Sequence, residues 1–145
     1  MIYCLTYGIY SIELETIFMI KNITIALGAG FVGSVANVAA IYLINPLQGL
    51  ASPDHLFVYK QVFWGGLWAL LYCIPWFQKM WPIRGIVVGL AASLCTFFVF
   101  QAIPVTPVNL IKAFVVNAIA WGMLSSYLYQ NASVGTAERK ALKTT

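Results

Sequence analysis

Four long apolar stretches, at residues 23–44, 61–77, 83–103 and 108–129, constrain this chain more than any other feature. None contains Asp or Glu; Lys112 lies near the start of the fourth, and Arg84 is the second residue of the third. Each stretch approaches the ~20 residues that carry a helix across about 30 Å of hydrocarbon. Lipid offers no hydrogen bonds to a bare backbone, so such runs have to satisfy their own N–H and C=O groups as helices. The expected fold is all-α, an integral membrane four-helix bundle.

Composition points the same way. Of 145 residues, 61% are hydrophobic and 8% charged, against about 25% charge in soluble domains. A domain of this size leaves roughly 30% of its unfolded surface in water, too much for so apolar a chain, so a lipid bilayer is the expected surrounding partner. Nucleic acid is not expected as a partner. The net charge is +4, and the eight basic residues are scattered from Lys21 to Lys143 rather than gathered on one run. The three cysteines form no C-x-x-C pair, and Cys73 and Cys95 sit in apolar runs where thiols pack as small hydrophobes. No disulfide framework, metal site or cofactor is expected.

Turn chemistry marks the boundaries. Asn45-Pro46 is expected to end the first helix. Ser52-Pro53-Asp54 reads as N-cap, first helical position and first-turn acid, and Thr106-Pro107 repeats the signal. Helices are expected at about 23–44, 53–78, 83–103 and 107–130. Residues 1–22 read as an interfacial segment, or as one whose first 18 residues are untranslated ahead of a start at Met19; residues 131–145 read as a cytoplasmic polar tail. Lys21, Lys79, Arg84, Arg139, Lys140 and Lys143 fall on one side, and Lys60 and Lys112 on the other. Basic residues favour the cytoplasmic side, so both termini are expected in the cytoplasm, at a bacterial inner (plasma) membrane.

One phrase occurs twice. Trp-Gly-x-Leu-x-x-x-Leu-Tyr spans Trp64 to Tyr72 and again Trp121 to Tyr129. Each copy follows a Ser/Thr-Pro step and a lysine, Lys60 or Lys112, and the helix before each is rich in glycine. This reads as two duplicated helical hairpins, related by an axis along the membrane normal.

Small residues recur every four positions and include Gly30, Gly33, Gly65, Gly85, Gly89 and Gly122. In lipid, close approach of backbones over such residues holds helices together, so these positions read as helix packing sites. Asn37 and Asn117 fall at membrane depths within about 5 Å of each other, counted at 1.5 Å per residue. They read as interhelical glue, or as a polar step in a permeation path. Asp54, His55, Lys60 and Lys112 form a candidate cluster at the outer surface, where an Asp54–Lys112 charge pair is more plausible than catalysis. A lone histidine excludes two-His haem ligation within the chain. The lack of an intramembrane carboxylate argues against the small multidrug transporters, whose chemistry rests on a membrane Glu.

The repeated aromatic-Gly step, Trp64-Gly65 and Trp121-Gly122, in paired hairpins with Gly-rich helix starts resembles the YagU-like small bacterial inner-membrane proteins over about residues 23–129. The resemblance implies no defined reaction and transfers no functional residues. The expected function is that of a non-enzymatic accessory or assembly component, packing as a homo-oligomer or within a larger membrane complex. The alternative is a small oligomeric channel or transporter with a polar path near Asn37 and Asn117.

Overall fold

A computed structural model describes residues 2–77, 80–99 and 104–141, with side chains described over 16–77, 80–99 and 104–134. The described residues are mostly helical, joined by short turns and extended links, and include no strand. Helix α1 covers Ile2–Leu47, α2 His55–Ala69, α3 Trp81–Leu94, α4 Pro107–Ala113 and α5 Leu124–Ala141. A segment of wide, π-type turns over Phe114–Met123 joins α4 and α5 into one rod, and α3 continues through similar turns over Cys95–Val99. Segments Thr16–Leu47, Trp81–Val99 and Pro107–Val134 are long and apolar enough to cross a membrane. These are the helices of a membrane protein.

Helix α1 outruns the stop expected at Asn45-Pro46. Proline occupies its last turn, and the chain leaves the helix at Gly49, whose φ is +68°. The Leu50 N–H reaches the Asn45 carbonyl (2.9 Å) and the Gly49 N–H reaches that of Pro46 (3.1 Å). That pair is a Schellman closure, which needs a left-handed residue where glycine meets no Cβ penalty.

The second apolar run differs most from its expected span of 53–78. Its N-cap is Asp54, not Ser52: the Asp54 Oδ1 accepts from the Phe57 N–H at 2.7 Å, so α2 starts at His55. Its far end tightens into a 3₁₀ turn over Leu70–Cys73 and stops at Ile74, which is extended (ψ 132°). Pro75 follows, and a residue before proline is driven out of the α region. At the other signal Thr106 caps α4, its Oγ1 accepting from the Asn109 N–H at 3.2 Å, with Pro107 at the first helical position.

The rod containing α4 and α5 lies between α1 and α3, while α2 packs along α1. Ala26, Ala29, Ala69, Tyr72, Val88, Trp121 and Tyr129 make the buried core. Glycine sets how closely the rods approach. A Cβ on Gly30 would meet Ala69, Gly65 and Gly66; one on Gly85 would meet Gly122 backbone; one on Gly89 would meet Asn117 and Ala118 backbone. Outside, large apolar side chains such as Val35, Leu43, Phe63, Phe98 and Ile111 are exposed, as they are in a protein whose solvent is lipid.

Candidate functional site

Local sequence explains why this rod carries polar groups inward. Ser126 and Gln130 are four residues apart on α5, so they share a face one turn apart. That face meets the first turn of α3, where Arg84 is 1% exposed. The Arg84 Nε donates to Ser126 Oγ (3.1 Å), and Nη2 donates to Gln130 Oε1 (3.1 Å) and more weakly to the Ser126 carbonyl (3.5 Å). The guanidinium carbon lies 5.4 Å from the Tyr72 ring centroid and 5.0 Å from that of Tyr129. Desolvated cation–π contacts of this kind are worth about 2 kcal/mol. The charge pattern groups Arg84 with the flanking basic residues of one side, which ordinarily lie outside the hydrocarbon. The structure instead encloses it, because two aromatic faces and the α5 stripe solvate it from within.

Tyr72 and Tyr129 are the last residues of the two repeated phrases, and their rings meet at 5.9 Å. The first residues of the phrases diverge. Trp121 is 3% exposed, stacks on Tyr72 at 6.3 Å and donates through Nε1 to the Gly30 carbonyl (3.3 Å). Trp64 is 47% exposed and, with Leu67, Trp68 and Leu71, lines a shallow apolar groove on α2. A Cβ on Gly65 would meet Trp121 Nε1 and Ser34. The glycine of the first copy thus makes room for the tryptophan of the second.

The wide turns of Phe114–Met123 supply acceptors. Turns of this type recur at functional sites because they interrupt the α-helical bonding pattern. Here the Val116 carbonyl receives Asn37 Nδ2 (3.4 Å) and the Gly122 carbonyl receives the Tyr72 hydroxyl (3.1 Å).

Asn37 and Asn117 come together. Asn37 Nδ2 donates to Asn117 Oδ1 at 2.8 Å, Asn117 Nδ2 to Ser93 Oγ at 3.0 Å, and Ser93 Oγ back to the Gly89 carbonyl at 2.9 Å. The chain of bonds links α1, the central rod and α3. Asn37 is buried, with its Oδ1 unpartnered among the described residues; Ser125 Oγ is in the same condition.

The outer-surface residues separate. Asp54 is occupied in capping α2, and His55 and Lys60 are exposed. Lys112 is not paired with Asp54. Its Nζ donates to Asn45 Oδ1 (2.5 Å) and Gln48 Oε1 (3.3 Å), at the C-terminal end of α1. Asn45 Nδ2 in turn donates to the Ala51 carbonyl (2.9 Å). Lysine is favourable there because a helix C-terminus carries partial negative charge.

Among the described residues no three His, Cys, Asp or Glu side chains converge. The chemistry on offer is that of an enclosed cation and a chain of amide and hydroxyl hydrogen bonds. No known protein family, curated protein or solved structure matches the chain.

Proposed function

We propose that this chain is a non-enzymatic accessory or assembly component of a bacterial inner membrane, a four-helix bundle that packs against itself or a larger complex. The observation that carries the reading is the Asn37–Asn117–Ser93 chain of hydrogen bonds. Its amides bond one another across three helices, and Asn37 is 1% exposed. Groups engaged in this way hold helices together. A polar path would instead leave them facing water, so the channel reading is the weaker one.

α2 is taken as the fourth crossing. Its α-helical part and its 3₁₀ turn together reach about 30 Å at 1.5 and 2.0 Å per residue, which matches the hydrocarbon thickness. Both termini are placed in the cytoplasm, where the basic flanks and the Trp76 and Trp81 rings suit the inner interface. The two hairpins are read as a duplication. Ser34 Oγ donates to the Gly30 carbonyl as Ser93 Oγ does to that of Gly89, and the paired tyrosines end both phrases. The groove lined by exposed Trp64 and Leu67 and half-buried Trp68 and Leu71 is the surface offered to a neighbour in the membrane.

Native mass spectrometry of the full chain released from its own membranes in mild detergent tests the reading. A discrete homo-oligomer or a stoichiometric complex is expected. A monomer that conducts ions or solute in proteoliposomes, and loses that flux on Asn37→Leu, would establish the transport reading instead.

A further inference from the structure

We propose that Arg84 is the anchor of a lipid-headgroup site, taking the phosphodiester of an anionic phospholipid between α3 and α5. This goes beyond the assembly reading and does not depend on it.

The first ground is a charge that no described side chain balances. Arg84 is 1% exposed, and a guanidinium keeps its charge in proteins. Among the described residues its hydrogen-bond partners are neutral: Ser126 and Gln130. The chain has four acidic residues. The one whose side chain is described, Asp54, caps the opposite end of the neighbouring α2. Hydrogen bonds and ring faces solvate a cation in low dielectric without cancelling its charge, and buried ions are ordinarily paired.

The second ground is unused donor capacity. Guanidinium offers five N–H groups in a planar fork. Nε and Nη2 are engaged, and no acceptor among the described residues takes Nη1. A phosphate oxygen pair matches that fork and is the geometry in which Arg binds best.

The third ground is position. Arg84 lies in the first turn of α3, three residues from Trp81, whose ring packs against Tyr127 at 5.2 Å. Tryptophan marks the headgroup level, and one helical turn is about 5.4 Å, so the Arg84 backbone lies within about a turn of that level and its side chain leans toward it. Gln130 is only partly buried and holds its Oε1 on Nη2. A phosphate oxygen arriving between α3 and α5 replaces that amide oxygen one for one. Access through the lipid favours a headgroup over a dissolved anion, and basic recesses between transmembrane helices bind such headgroups.

The test uses the full chain purified in a neutral detergent, with thermal unfolding followed by tryptophan fluorescence. Phosphatidylglycerol is expected to raise Tm by about 4 °C, and equimolar phosphatidylcholine or inorganic phosphate to leave it unchanged. Arg84→Gln is expected to abolish the response. Gln130→Glu, which supplies the guanidinium with a carboxylate in place, is expected to raise the basal Tm and also abolish it, and so covers the case in which Arg84→Gln fails to fold. Equal shifts with both lipids, no shift, or a full response in Gln130→Glu overturns the proposal. An equal shift with inorganic phosphate overturns its lipid source and assigns the site to a free oxyanion.

Discussion

Tyr72 and Tyr129, which close the two copies of one repeated phrase, meet with ring centroids 5.9 Å apart, and Arg84 lies against both. The two tyrosines bring α2, α3 and α5 to one point. Tyr72 adds a hydrogen bond to the Gly122 carbonyl, so its hydroxyl and its ring have separable effects. Tyr72→Phe keeps the ring and loses the bond, and should destabilise by about 1 kcal/mol. Tyr72→Leu also removes the cation–π face and should lose about 1–2 kcal/mol more. Unfolding in mixed micelles measures both. Equal losses in the two variants would show that the ring contributes nothing to holding Arg84.

Asn37 and Asn117 provide a direct energetic test of the interhelical chain. Bonds of this kind between transmembrane helices are worth about 0.6–2 kcal/mol. Asn37→Leu and Asn117→Leu should each destabilise by that order. The double variant should lose less than the two combined, because either change already breaks the 2.8 Å bond. Strict additivity in the double-mutant cycle would mean that the pair is not coupled.

Glycine positions should divide sharply. A Cβ at Gly85 would collide with the Gly122 and Met123 backbone, which has no side chain to swing away, while a Cβ at Gly28 meets nothing within 4 Å. Gly85→Ala should destabilise by about 1–3 kcal/mol through forced separation of α3 from the central rod. Gly28→Ala should be neutral, or stabilising by up to about 1 kcal/mol through helix propensity. The same unfolding assay ranks them, and equal effects would contradict the close packing of α3.

How far the sequence could be read follows from which forces are local. Helical lipid-facing segments follow from apolar run length alone, and the Thr106-Pro107 start follows from capping chemistry within one turn. The α2 stop at Ile74 was also local, since Pro75 stands in the sequence, but an uninterrupted apolar run hid it. Arg84 was not legible from the same signals. Charge counting ranks an arginine by its distance from the run's end, and its burial depends on Tyr72 and Tyr129, which are distant in the chain. One signal was present: Ser126 and Gln130, a polar pair at helical spacing across the end of an apolar run, calls for a polar partner on the facing helix. Lys112 shows the converse. The charge rule suggested Asp54, yet the C-terminal end of α1 and two amide oxygens lay closer.

Lys112 therefore should act as a latch on the outer end of α1. Its ammonium bonds Asn45 and Gln48, and Asn45 holds the following turn through the Ala51 carbonyl. The Schellman closure at Gly49 depends on the same carbonyl end of the helix. Lys112→Met keeps the apolar stem and removes the charge, leaving Asn45 Oδ1 and Gln48 Oε1 to water. Hydrogen bonds to a charged group are worth about 1.5–3 kcal/mol, and partial exposure of the Gln48 end places the expected loss near the lower figure. The effect should be local. Amide exchange should quicken at Gln48, Gly49 and Leu50, with little change at Ser93 or Asn117 in the interior. Unchanged exchange across residues 48–50 would show that glycine geometry alone closes α1 and that the lysine holds nothing.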